Sequence, residues 1–129
     1  MKQHVLLPIA SVLSILFLTF HLADDIARGF EQGGLSNLAA MPIVVGWLYA
    51  ALILVERRSG YVINLLLSLL ALGVPVIHMS GKGVGAGSRV ANSDGAFFFV
   101  WTLIALSVTA LFSVILSARG LWKQRASSR

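Results

Sequence analysis

Residues 96–118 read AFFFVWTLIALSVTALFSVILSA, a run without a single charge. A hydrocarbon core about 30 Å thick is crossed by about 20 apolar residues in helical form. Three more segments meet that requirement. Val5–Ala23 and Leu38–Val55 carry no charge, and Tyr61–Met79 has Asn64 and His78 as its strongly polar members. Helix is the form that spans, because lipid satisfies no backbone N–H or C=O group and four strands are too few to close a barrel. The expectation is an all-α integral membrane protein, an antiparallel four-transmembrane-helix bundle forming one domain over residues 1–129.

The composition agrees. Of 129 residues, 57% are hydrophobic and 12% charged, with a mean hydropathy of +0.87. Soluble domains are about 45–50% apolar and about 25% charged. So little charge cannot cover a soluble globule, and it excludes a disordered chain and a nucleic-acid-binding module with a basic face. The absence of cysteine excludes disulfides, thiolate metal sites and cysteine nucleophiles. The first span follows Lys2 like a signal peptide. Its apolar stretch is longer than the usual 7–15 residues or so, and His21-Leu22-Ala23 makes a poor cleavage site. It is read as a retained helix.

Connections are short or marked by glycine. Gly29 to Gly34 separates the first two spans, and Ser36 or Asn37 is placed to cap the second. Glu56 to Gly60 forms a tight turn between the second and third. Ser80 to Asp94 is a longer glycine-rich loop, with Ser93 or Asp94 placed to cap the fourth span. No internal repeat is visible.

Charge sets the direction of the spans. The side holding the N-terminus, the Glu56–Gly60 turn and the C-terminal tail carries seven Lys and Arg against Glu56, a net of +6. The opposite side carries Arg28, Lys82 and Arg89 against Asp24, Asp25, Glu31 and Asp94, a net of −1. The positive-inside rule counts Lys and Arg, here seven to three, and places both termini in the cytoplasm. The brevity of the chain and its turns point to a bacterial plasma membrane. The basic tail is an orientation signal that also suits anionic lipid.

Small and polar residues mark helix contacts inside a membrane. They form stripes at helical spacing: Ser11, Ser14, His21 and Asp25 in the first span; Asn64, Ser68, Ala71, Pro75 and His78 in the third; Thr102, Thr109, Ser113 and Ser117 in the fourth. Gly46 and Ala50 make a small-xxx-small pair in the second, and Pro75 is expected to kink the third. Phe97, Phe98, Phe99 and Trp101 at one end of the fourth span, and Trp122 past the other, suit interfacial aromatic belts. Trp47 and Tyr49 fall mid-span, as lipid-facing bulk or core.

Apart from His4 and Glu56, the histidines and acids gather on the side opposite the termini. His21 and His78 end two spans at the same depth, and Asp24, Asp25 and Asp94 lie at or just beyond it. Offsets of three and four align His21, Asp24, Asp25 and Arg28 along one side of a helix. His21 and Asp25 at i and i+4, with His78 and Asp94 added from other spans, form a candidate ion, metal or small-ligand site. Two imidazoles and one or two carboxylates suit a divalent metal such as Zn, Fe, Mn or Cu(II). Arg28, Lys82 and Arg89 are candidate contacts for an anion or for a loop folding over the cluster. The plainer account is an Asp24–Arg28 salt bridge on a solvated helix end, an N-cap at Asp94 and an interfacial histidine at His78.

Two further readings use the same residues. His21 and His78 could ligate a haem from opposite faces. A proton-linked carrier is disfavoured because mid-bundle positions hold no Asp, Glu, Lys or Arg. The Gly81–Arg89 loop is not a phosphate loop, since Lys82 precedes most of its glycines. Hydrolytic chemistry is disfavoured too: Ser80 lies two residues from His78, a poor geometry within one helix. Against the site stands a different class of role, a non-catalytic accessory subunit that packs beside a larger membrane complex or as a homo-oligomer, surrounded by membrane lipid. A reporter fused to the C-terminus is expected to be active in the cytoplasm, and activity on the far side of the membrane would reverse the orientation.

Overall fold

The computed structural model describes residues 3–80, 90 and 93–127. Among them the regular structure is entirely helical. The long helices are α1 (Gln3–Ala27), α2 (Met41–Leu52), α3 (Arg58–Ser80) and α4 (Ala96–Ser127), and a 3-10 segment (Leu35–Ala40) leads into α2. Counting that segment with α2, all four are long and apolar enough to cross a membrane.

The helix ends depart from the spans expected from hydropathy, each for a local reason. Nothing between Asp24 and Ala27 breaks a helix, so α1 continues to Ala27. It closes at Gly29, whose φ of 72° is left-handed. There the Gly29 N–H bonds the Ile26 carbonyl and the Phe30 N–H bonds the Asp25 carbonyl, the paired closure that glycine permits. The second span is only part α-helix: 12 residues at about 1.5 Å and six 3-10 residues at about 2 Å give about 30 Å of chain. Neither Ser36 nor Asn37 caps it. Gly34 holds the N-cap position without a side-chain bond, and the Asn37 N–H bonds the Gly34 carbonyl. α2 stops at Leu52, short of Val55. Arg58, Ser59 and Gly60, expected in the turn, already belong to α3, which runs on through Pro75. α4 extends past Ala118 to Ser127, because a helix needs no hydrocarbon around it to continue.

Long-range bonds make the topology antiparallel. At one end Gln3 donates to the Leu116 carbonyl (2.7 Å) and Gln124 to the Glu56 carbonyl (2.7 Å), joining the start of α1, the end of α4 and the α2–α3 turn. At the other end Arg28 reaches Ser93. A common core takes residues from every helix: Ile15, Trp47, Ala71, Leu106 and Ala110. Below it, toward the termini, Leu7, Ala10, Tyr61 and Leu116 pack together. Above it lie Val90, Phe99 and Leu103.

The polar stripes point inward. The Ser68 hydroxyl donates to Ser113 (2.8 Å), which also bonds Ser11 (2.9 Å), tying α1, α3 and α4. Such bonds are worth about 0.6 kcal/mol each in a membrane. Trp47 is core, 2% exposed, because its indole N–H finds Asn64 Oδ1 at 3.1 Å; Tyr49 faces outward. Phe97, Phe98 and Trp101 are exposed as a belt requires, but Phe99 is fully buried.

The small-xxx-small pair holds only in part. Ala50 is buried, yet a Cβ on Gly46 would meet nothing within 4 Å. Close approach falls instead at Gly60, where a Cβ would run into the Leu54 carbonyl, and at Gly120, where it would run into the Tyr61 ring. Gly60→Ala is therefore expected to lower thermal stability in detergent by about 1–3 kcal/mol. Gly46→Ala is expected to leave it unchanged or raise it by up to about 1 kcal/mol through helix propensity.

Candidate functional site

The last turns of α1 and α3 and the first turns of α4 meet at the end of the bundle opposite the termini. Three of the expected residues converge there. His78 Nε2 lies 3.1 Å from Asp25 Oδ2, and His21 Nε2 lies 3.6 Å from the same oxygen. One ligand atom from each of the three side chains falls within 4.8 Å of the others. His21 and Asp25 are 1% and 5% exposed, and His78 is largely covered. The imidazole rings stand edge to face, 4.7 Å apart, and Phe99 packs against both.

Hydrogen bonding decides which way the ring nitrogens face. The Thr102 hydroxyl donates its one proton to the Phe99 carbonyl (3.0 Å). With that proton on the carbonyl, the contact with His21 Nδ1 (3.1 Å) is one that the imidazole N–H donates. His78 Nδ1 lies 2.8 Å from the Val74 carbonyl, an acceptor only, so it too carries a proton. Both Nε2 atoms are turned toward the Asp25 carboxylate, and a ring that holds its single proton on Nδ1 presents a lone pair there. Among the described residues, His21 Nε2 and Asp25 Oδ1 are buried with no hydrogen-bond partner.

Asp24 and Asp25 are adjacent but separate in role. Asp25 faces the histidines, whereas Asp24 accepts from Arg28 Nε at 2.7 Å. That pair is only 14% exposed on each side, so it is a half-buried clasp and not the solvated pair a bare helix end suggests. The same guanidinium donates to Ser93 Oγ (2.8 Å) and to the Asp94 carbonyl (3.2 Å), and lies 5.6 Å from the Phe99 ring centre. Arg28 thus bolts the end of α1 to the approach to α4, beside the Phe99 ring that packs on both histidines. Gly95 makes room for it: its φ is +76°, and a Cβ would lie 3.0 Å from Arg28 Nη2.

The remaining expectations divide. Asp94 adds no oxygen to the cluster; it is exposed, and its main-chain carbonyl meets Arg28. Arg28 serves as a structural clasp to Asp24 and Ser93. Lys82, Arg89 and the loop expected over the cluster lie outside the described residues. The haem arrangement does not fit, because axial ligands take opposite faces of a macrocycle, and two rings 4.7 Å apart and turned toward one carboxylate leave no slot for it. Thr102, Val74 and Phe99 were not singled out as site residues. Thr102 belonged to a visible stripe; a main-chain carbonyl and one phenylalanine among three carry no signal in a sequence. No protein-family model, curated protein or solved structure matches the chain.

Arg28→Gln is expected to loosen this end of the bundle. It removes three bonds and strands Asp24, so backbone amide exchange over residues 24–30 and 93–99 should quicken about tenfold, equivalent to about 1.4 kcal/mol. Unchanged exchange would show that the clasp is not what joins α1 to α4.

Proposed function

We propose that this chain is a small polytopic membrane protein that holds one divalent transition metal at the extracytoplasmic mouth of its helix bundle. His21, His78 and Asp25 are the ligands. The observation that carries the reading is the convergence of three metal-ligating side chains in one buried place, with His21 Nε2 and Asp25 Oδ1 left without a hydrogen-bond partner beside His78 Nε2.

A cation at their centre satisfies all three at once. A single proton joins His78 Nε2 to Asp25 but leaves His21 Nε2 and Asp25 Oδ1 buried and unpaired, at about 1–3 kcal/mol for each. A metal ion satisfies His21 Nε2, His78 Nε2 and the Asp25 carboxylate together. Metal–nitrogen and metal–oxygen bonds of about 2.0–2.2 Å in a tetrahedral site put donors about 3.3 Å apart; the Asp25 oxygen lies 3.1 and 3.6 Å from the two imidazole nitrogens, and all three ligand atoms fall within 4.8 Å. The Thr102 and Val74 acceptors on the far nitrogens are what orient metal-bound imidazoles elsewhere. Two nitrogens and a carboxylate suit Zn(II) and its neighbours better than Ca(II) or Mg(II).

Three protein ligands leave a fourth position for water or another small ligand, unlike a structural site closed by four protein ligands. The core between the two ends favours holding over conducting. Ile15, Trp47, Ala71, Leu106 and Ala110 separate the serine triad from the histidines.

The test is stoichiometry. After loading with Zn(II) and desalting in mild detergent, elemental mass spectrometry should find about one zinc per wild-type chain and almost none in His21→Ala/His78→Ala. Thr102→Val keeps every ligand but removes the acceptor of the His21 Nδ1 proton, and should weaken zinc affinity about 10- to 100-fold. A wild-type protein that retains no zinc, or a double variant that retains it, would discard the metal and favour the accessory-subunit role.

A further inference from the structure

We propose a second binding site at the opposite end of the molecule: a cleft between α3 and α4 that takes one anionic phospholipid, its phosphate on Arg58 and Arg125 and an acyl chain against Leu65, Ala118 and Leu121. The proposal is independent of the histidine cluster and rests on the four helices crossing a bilayer.

Two adjoining clefts make the site. One, of about 440 Å³, is lined by Leu65 from α3 and by Ala118, Leu121, Trp122, Arg125 and Ala126 from α4. The other, of about 250 Å³, is lined by Arg58, Leu121, Gln124 and Arg125. They share Leu121 and Arg125, so they form one groove with a basic end and an apolar end.

The register of the two helices gives the groove its polarity. Leu65 lies two helical turns along α3 from Arg58, and Ala118 lies two turns back along α4 from Arg125. At about 1.5 Å per residue each step is about 10 Å. Because α3 and α4 run antiparallel, both arginines stand at one level, and both apolar residues stand about 10 Å deeper toward the middle of the bundle. That is the order in which a phospholipid presents its phosphate and the first part of its chain. The bond from Gln124 to the Glu56 carbonyl holds the end of α4 against the α2–α3 turn, which keeps Arg58 beside Arg125. Trp122, largely exposed, lies at the rim, where an amphipathic indole suits the headgroup boundary.

Charge selects the headgroup. Arg58 and Arg125 line the groove, Arg119 and Lys123 line a neighbouring cleft that shares Ala118 and Trp122 with it, and Arg57 precedes Arg58, against the single Glu56 in these segments. Basic pockets between transmembrane helices on the cytoplasmic side favour anionic lipid headgroups. A choline beside two guanidinium groups would be repelled, so phosphatidylcholine is a poor occupant. Free phosphate would meet the arginines but leave the apolar end unfilled.

Native mass spectrometry of protein released from bilayers of equal phosphatidylglycerol and phosphatidylcholine tests this. The expected result is one retained phosphatidylglycerol per chain, enriched at least fivefold over phosphatidylcholine and not displaced by millimolar inorganic phosphate. Arg58→Gln/Arg125→Gln should abolish the enrichment. Ala118→Trp keeps every charge but fills the apolar end, and should abolish it too; Leu65→Trp fills the same space from α3, should Ala118→Trp not fold as judged by its helical circular dichroism. Enrichment that survives the arginine changes overturns the proposal. So does enrichment that survives filling of the cleft by a folded variant, which would mean diffuse attraction to a basic surface. Displacement by phosphate would mean an anion site without a lipid.

Discussion

An interior made of apolar helices offers a polar side chain no partner except a carbonyl of its own helix or a group on another, and that constraint organises this molecule. A hydroxyl or ring nitrogen facing hydrocarbon stays unsatisfied unless the bundle supplies an acceptor or donor. Ser11, Ser68 and Ser113 solve this by bonding one another across three helices. Asn64 solves it twice, donating to the Gly60 carbonyl and accepting from Trp47. The same requirement draws the His21 N–H to Thr102 and the His78 N–H to the Val74 carbonyl.

The candidate site is a consequence of those two bonds. An imidazole has two nitrogens and, when neutral, one proton. Committing that proton to the bundle wall leaves the bare nitrogen facing the centre, and doing so twice around one carboxylate concentrates electron pairs in a buried place. Arg28 does not relieve this, because its guanidinium is spent on Asp24, Ser93 and the Asp94 carbonyl. The adjacent acids therefore divide the work: Asp24 neutralises the clasp, and Asp25 faces the histidines.

The two ends of the bundle differ in kind. The end with the histidines is closed by specific bonds among α1, α3 and the approach to α4. The end with the termini carries most of the Lys and Arg and a groove that the described residues do not fill. Between them, Ile15, Trp47, Ala71, Leu106 and Ala110 form an apolar layer shared by all four helices. The threonines and serine near that layer, Thr19, Ser107 and Thr109, spend their hydroxyl protons on carbonyls of their own helices. They add no polar route across it.

The four apolar helices were legible in the sequence because uninterrupted hydropathy long enough to cross a bilayer is a local property. So were the inward faces, because polar residues at three- and four-residue spacing share a side of a helix whatever surrounds it. His21 with Asp25 was legible for the same reason. Other features were settled by the tertiary structure. Hydropathy does not mark where a helix stops, so the extra turns of α1 and α4 and the 3-10 entry to α2 were missed. Residue type does not report backbone separation, so Gly46 read as a contact and Gly60 as a turn residue. The pairing of His21 with His78, the placing of Asp94 outside the cluster and the turning of both Nε2 atoms inward depend on Thr102, Val74 and Phe99. Those partners are distant along the chain, or are main-chain atoms every residue possesses. A sequence determines which side chains can share a helix face; only packed helices decide which atoms of those side chains are left facing one another.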